Sequence, residues 1–387
     1  MTHAVPLAPD EQRGLASLVD TLRTSGAIQS PAWADAFAAV PRHIFVPSPF
    51  EQVTDDSGVT SWLPLDAVGR EPWLEAVYAA DRTLVTSVDP KHGMPTSSST
   101  LPSLMARMLE ELEVEDGHRV LEIGTGTGYN AALLSARLGD RNVYSVDIDP
   151  ELVEAAAAHL AVCGYRPHGA AADGREGFAA GAPFDRIIAT CSVTSVPAAW
   201  LEQMRPGGLI LADLETGIEH GLLRLTIEGR GQASGRFTRT TGRFMAARAG
   251  EKSYAERDAI AFAPTEGTRT STVTSADYFG NYPFRLLLGT ALPHVRFVYH
   301  REDGVVSIQL QHPDGSWART PMPGQGEAGH VTFGGPQHLW DHVEALWRVW
   351  RDDHGSPDQT QVGLTIDGNG QCVWLGSPDG PTWRLPA

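Results

Sequence analysis

Between Val120 and Leu134 the chain reads VLEIGTGTGYNAALL, an apolar run, three alternating glycines and then a helical pattern. Few stretches limit a fold so sharply. A buried strand must turn at once into a helix, and Gly124, Gly126 and Gly128 permit that turn while letting a ligand approach bare backbone. The helix that follows presents unpaired amides and a positive dipole end to an anionic group.

The neighbouring text repeats the rhythm. RVLEIG, NVYSVDID, DRIIATC and GGLILADL read as buried strands, with NAALLSARLG and ELVEAAAAHLAVCG as helices between them. Strand–helix alternation predicts an α/β, Rossmann-like parallel sheet covered by helices. It divides the 387 residues into an N-terminal helical and substrate-cleft segment (1–115), a nucleotide-binding core (116–248), and a linker with an α+β C-terminal domain (249–387). In the last part RFVYH, VVSIQLQ, HVTF, QVGLTID and CVWL read as strands punctuated by Asp-Gly turns. One helix, PQHLWDHVEALWRVW, interrupts them, and AGEKSYAERDAIAFAPTEGTRTSTVTSADY reads as the linker.

Charge and composition exclude some roles. Thirty basic against 47 acidic residues give a net charge of −17, which opposes attachment to nucleic-acid phosphates. No stretch approaches the roughly 18 uninterrupted apolar residues of a membrane span. The N-terminus lacks a basic segment followed by an apolar core, so no secretory signal is expected. Three widely separated cysteines are expected as reduced thiols in a cytoplasmic protein.

The ligand of the glycine loop is narrowed further on. Asp147 ends the next strand about 20 residues later, where a carboxylate accepts both ribose hydroxyls. Asp149, before Pro150, reads instead as a helix cap. GTGYNA also satisfies G-x-G-x-x-A, so the loop alone leaves a nicotinamide or flavin nucleotide open. The order Glu122-x-Gly-x-Gly-x-Gly, Asp147, AADGREG with Asp173, FDRIIAT and RPGG resembles the motif set of S-adenosylmethionine-dependent methyltransferases. That resemblance implies loop amides facing the methionine portion and Asp173 accepting the adenine amino group. Glu122, Thr125, Gly128, Ile148 and Gly174 complete the implied cofactor set, with S-adenosylhomocysteine as product.

Two further stretches, FAAVPRHIFVP and PTSSSTLPSLMARML, look like the protein-L-isoaspartate O-methyltransferase family, a likeness that VPAAWLEQMRPGGLILADL continues. Where that family has Thr-Ile-Ser-Ala-Pro, this chain has Ser98-Ser99-Thr100-Leu101-Pro102. Anchoring on Pro102 implies that Thr100 stands on the family's active-site serine, and Ser98, Ser99 and Thr100 form the expected catalytic hydroxyl set. A polar cap for the helix after them is the plainer alternative. The simple repair enzyme is expected to lack a C-terminal domain, and the layout here, with DRNVYSVDIDPELVEAA and a trailing GLTIDGNGQCVWLGSPDG, resembles methyltransferases encoded with ATP-grasp ligases. Those relatives tailor graspetides, and a sister group acts on lanthipeptides. The implied reaction is esterification of an aspartate in a pre-cyclised ribosomal peptide, closing to an aspartimide, with the C-terminal domain recognising the peptide; repair of isoaspartate is the alternative.

Either reaction suits a site without a conspicuous base. A carboxylate is already nucleophilic, so catalysis rests on alignment of oxygen, methyl carbon and sulfur. Other features are expected to be structural. His338 and His342 have metal-compatible spacing, but no third ligand is evident and no metal is expected. Leu339, Val343, Leu346, Trp347 and Trp350 form an apolar stripe. Tyr78 and Asp81 suit either the substrate cleft or a surface turn, and Cys191 reads as a buried thiol.

Overall fold

A computed structural model describes residues 5–54, 60–248 and 262–386. The chain forms two compact units, one of Met1–Ser192, Pro197–Ala212 and Phe244–Ser253, the other of Val193–Val196, Asp213–Arg243 and Tyr254–Ala387.

The first unit opens with α1 (Pro9–Thr24) and α2 (Pro31–Ala39). Pro9 starts α1 without wasting a hydrogen bond, and Glu11 returns its carboxylate to the Ala8 amide at 2.8 Å. Leu15, Leu18 and Leu22 then bury one helical stripe. Next come β1 (Phe50–Thr54), β2 (Thr60–Pro64), α3 (Arg70–Tyr78), β3 (Leu84–Val88) and β4 (Pro95–Ser99). The strands form an antiparallel sheet in the order β2-β1-β3-β4, where the sequence suggested only an irregular stretch. α4 (Pro102–Glu111) follows, with Leu101 at its N-cap and no side chain capping it.

The nucleotide-binding sheet comprises β5 (Val120–Ile123), β6 (Val143–Asp147), β7 (His168–Ala171), β8 (Phe184–Val193) and β9 (Met204–Glu215), with α5 (Tyr129–Leu138), α6 (Pro150–Val162) and α7 (Ala198–Glu202) between strands. Its order is β7-β6-β5-β8-β9. β5 runs parallel to both neighbours, pairing Val120 with Val143 and with Arg186. All four β5 residues are buried, as a central strand covered on both faces requires. Asp149 caps α6 by accepting from the Glu151 amide, with Pro150 in the first turn. A later segment completes this unit: Ser192 donates to the Met245 carbonyl at 2.9 Å and accepts from the Ala247 amide at 2.8 Å.

The second unit adds β10 (His220–Gly229), β11 (Gln232–Phe237), β12 (Gly267–Thr270), α8 (Ser275–Gly280), α9 (Tyr282–Ala291), β13 (Arg296–Glu302), β14 (Val305–Gln311), β15 (Trp317–Pro321), β16 (His330–Gly334), α10 (Leu339–Arg348), β17 (Val362–Asp367), β18 (Gly370–Leu375) and β19 (Thr382–Arg384). Its antiparallel sheets run β10-β11-β17-β18-β19 and β12-β16-β15-β14-β13. β12 lies inside the expected linker, whose residues 249–261 fall outside the described ones. The α10 stripe is core: Leu339, Val343, Leu346, Trp347 and Trp350 are buried, and Phe284 meets Trp347 edge-on at 4.8 Å. His342 is exposed, and no cluster of three His, Cys, Asp or Glu among the described residues is arranged to hold a metal. No helix among them is long and apolar enough to cross a membrane.

Candidate active site

The loop between β5 and α5 is built differently at each glycine. A Cβ on Gly124 would lie 2.7 Å from the Thr190 hydroxyl, so this position is closed by packing. Gly126 has φ +50°, and its nearest neighbours would lie 3.8 Å from an added Cβ, at Ser97 Oγ and the Ser98 carbonyl. Here the chain keeps a left-handed residue and open space together. That is the cradle expected for a ligand that lies against backbone.

Two acids hold the loop from below and behind. Asp147 accepts from the Gly126 amide at 2.9 Å and from the Asp149 amide at 3.1 Å. Burial raises its pKa, and those two amides pull it back. Each of its oxygens keeps a lone pair beyond the one that an amide occupies. Glu122 is wholly buried and spends its oxygens on Asn130 Nδ2 at 2.8 Å and Ser145 Oγ at 2.5 Å. Ser145 in turn meets Thr125 Oγ1 at 2.7 Å. Desolvation pushes the Glu122 carboxyl up to about 7. Glu122 and Thr125 therefore brace the loop from within.

The other sequence-derived residues are spread around this cradle. Ile148 is half-buried after Asp147, and Gly174 packs so closely that a Cβ would lie 2.5 Å from Ile123 Cγ2. Asp173 makes a forked pair with Arg175, with contacts of 2.6 to 3.1 Å, and these hydrogen bonds lower its pKa. Cys191 is half-buried in β8. Tyr78 is buried with its hydroxyl 2.6 Å from His43 Nδ1, whereas Asp81 is exposed.

The hydroxyl run lies on β4 and just beyond it. Ser97 and Ser99 share one buried face, and Ser98 and Thr100 are half-buried. None caps α4, so the helix-cap explanation of these residues fails. Sequence reasoning left Ser97, the hydroxyl beside Gly126, out of the catalytic set. It also overlooked Arg42, buried behind Ser99, although an arginine inside the apolar run FAAVPRHIFVP was a visible signal. Arg248, 3.8 Å from Asp149, was a third omission.

The fold matches a solved structure named protein-L-isoaspartate O-methyltransferase over 94% of this chain and 100% of that one, with TM-score 0.54 and 22% identity. The fold is that of the class I S-adenosylmethionine-dependent methyltransferases. The family profile "Protein-L-isoaspartate(D-aspartate) O-methyltransferase (PCMT)" matches residues 63–245. A Thermococcus onnurineus protein-L-isoaspartate O-methyltransferase is 36% identical over 195 residues, 50% of this chain and 74% of the relative. The Methylorubrum extorquens enzyme of that name is 32% identical over 229 residues, 59% of this chain and 86% of the relative. The chain belongs to the protein-L-isoaspartate O-methyltransferase family.

These findings overturn the expectation of graspetide tailoring. That expectation took the C-terminal domain as the mark of a peptide-modifying enzyme. The alignment with the solved protein-L-isoaspartate O-methyltransferase takes in 94% of this chain and so extends well into that region. The shared fold thus continues past the nucleotide-binding core, and the relatives matched in sequence carry the repair enzyme's name. A macrocyclised substrate and an aspartimide end product lose their support with it.

Proposed function

We propose that this enzyme transfers a methyl group to the free carboxyl of L-isoaspartyl residues in proteins and peptides, the step that commits such residues to repair. The observation that carries the reading is the likeness, at 36% identity over 195 residues, to an enzyme of that name. The placing of a hydroxyl-bearing strand against the open side of Gly126 supports it.

In this reading Asp147 holds the ribose while it fastens the Gly126 amide, and the methionine portion lies along the open side of Gly126 at the start of α5. Asp173 takes the adenine amino group through lone pairs that Arg175 leaves over. S-adenosylmethionine supplies an electrophilic methyl on a sulfonium. The chain's own residues hold the acceptor oxygen in line, exclude water and leave the carboxylate ionised. Of the hydroxyls Ser98, Ser99 and Thr100, Ser99 shares the buried face of β4 with Ser97, and it orients that carboxylate without taking its proton. Esterification replaces oxide, which cannot leave, with methoxide, which can. The next backbone nitrogen displaces methanol, and hydrolysis of the resulting succinimide returns part of the population to aspartate.

Mass spectrometry of an isoaspartyl peptide and its aspartyl twin, each with enzyme and S-adenosylmethionine, tests this reading. The isoaspartyl peptide should gain one methyl group, then lose it and accumulate the aspartyl form. Methylation of the aspartyl twin in preference to the isoaspartyl peptide would refute it.

A further inference from the structure

Arg42 is a buried cation without a counter-ion. It is 0% exposed, and no carboxylate pairs with it among the described residues. Its guanidinium donates to the carbonyls of Val77 (2.7 Å), Ser99 (3.1 Å), Thr100 (3.1 Å) and Arg82 (3.4 Å). Nε and Nη2 also reach Ser99 Oγ, at 3.3 and 3.1 Å. All of these acceptors are neutral. Burial brings the guanidinium down to about 10, which leaves it charged at neutral pH. A charge held out of water among neutral dipoles is costly unless something opposite arrives.

Hydrogen direction supplies a second, independent observation. Ser99 Oγ accepts from Arg42, and its own proton has no acceptor among the described residues. Ser97, two residues away on the same face of β4, accepts from Thr86 Oγ1 at 3.1 Å and likewise keeps its proton. This is the hydroxyl that stands beside Gly126. Two neighbouring hydroxyls thus have their acceptor sites engaged and their donors unspent.

We propose that Arg42 is a positioning residue of the acceptor site: it turns Ser99 into a donor, and its unpaired charge draws the substrate carboxylate to the Ser97–Ser99 face. The inference rests on the carboxyl-methylating function proposed above and adds what selects the acceptor. The carboxylate oxygens take the two hydroxyl protons as hydrogen bonds, with no proton transferred. One oxygen then forms the new O–CH3 bond as the C–S bond breaks, and the electron pair of that bond stays on sulfur. The ester formed is neutral and loses its attraction to Arg42, so the same charge that gathers the substrate favours release of the product.

Calorimetry in the presence of S-adenosylhomocysteine tests the proposal with two peptides, one isoaspartyl and one carrying a carboxamide in place of the free carboxyl. Loss of a hydrogen bond to a charged group predicts that the intact enzyme prefers the carboxylate by about ten- to a hundredfold, that Ser99→Ala reduces the preference by about tenfold, and that Arg42→Gln nearly abolishes it. Ser99→Ala keeps every Arg42 bond to a backbone carbonyl and is the variant to rely on if Arg42→Gln does not fold. S-adenosylhomocysteine affinity should be unchanged in Ser99→Ala, which separates orientation of the acceptor from damage to the fold. An intact carboxylate preference in a folded Ser99→Ala variant overturns the proposal. So does a wild-type enzyme that methylates the isoaspartyl peptide yet binds both peptides equally. If the wild type methylates no isoaspartyl peptide, the functional reading itself fails and takes this inference with it.

Discussion

The glycine loop and the β4 hydroxyl strand lie side by side and treat their polar groups in opposite ways. In the loop the side-chain donors are spent within the chain: Asn130 and Ser145 bind Glu122, Ser145 meets Thr125, and Asp147 takes the amides of Gly126 and Asp149, with acceptors such as Asn130 Oδ1 left over. On the strand, Ser97 and Ser99 accept from Thr86 and Arg42 but give nothing back. A region whose bonds close internally keeps its shape without a ligand. A region with unspent donors gains its last bonds only when an acceptor comes. The difference is the one that the proposed roles require: a cradle fixed before its cofactor arrives, and a buried face that completes its bonds with an acceptor.

The sharpest way to break the contrast is to spoil the loop while sparing the strand. Gly126→Val puts a β-branched side chain at φ +50° and into the open side of the cradle. We expect S-adenosylhomocysteine binding to become undetectable by calorimetry; retained affinity in a folded variant would remove Gly126 from the cofactor site. A smaller effect follows from Asp147→Ala, which removes the proposed ribose acceptor and unfastens the Gly126 amide. Hydrogen bonds with a charged partner contribute roughly 1.5–3 kcal/mol, so affinity should fall about ten- to a hundredfold. Wild-type affinity there would assign the ribose to another residue.

Glu122→Gln should change cofactor affinity least and show itself in the pH dependence of stability. The folded protein raises this carboxyl from 4.5 to about 7 and so binds its proton more tightly than the unfolded chain does. Stability from this group is greatest below pH 4.5, declines as pH rises to about 7, and is flat above that. At 1.36 kcal/mol per pKa unit the decline is of the order of 3 kcal/mol. Thermal melts between pH 5 and 8 should show the decline in the wild type and lose it in Glu122→Gln. Parallel profiles for the two proteins would mean that Glu122 ionises freely in the folded state.

Much of this arrangement was legible beforehand because it is local. Strand β5, its glycines and the acid ending β6 follow one another within a single βαβ unit, so spacing alone fixes their roles in the fold. Arg42 and Ser99 stand 57 residues apart, and nothing in local periodicity pairs them. The run from Ser97 to Thr100 showed that hydroxyls were wanted without showing which ones point inward. Alternation along β4 settles that in favour of 97 and 99. Strands β1 and β2 were overlooked because they are short and largely exposed, which removes the apolar alternation that would reveal them. The C-terminal strands were readable as strands, yet their presence was given a functional meaning they do not carry.

The return of Met245 and Ala247 to Ser192 sets a timetable for biosynthesis. A ribosome delivers β5, the glycine loop and β6 early, but the partners of Ser192 emerge only after β9, β10 and β11 have been made. Closing so long a loop costs little more free energy than closing a shorter one, because the cost grows with the logarithm of length. What length imposes is order in time. The nascent cofactor half must pass through a stage in which the Ser192 amide lacks its carbonyl and Arg248 has not reached Asp149. A chain arrested just after Arg243 would carry every glycine of the loop and still leave the end of β8 without its returning partner.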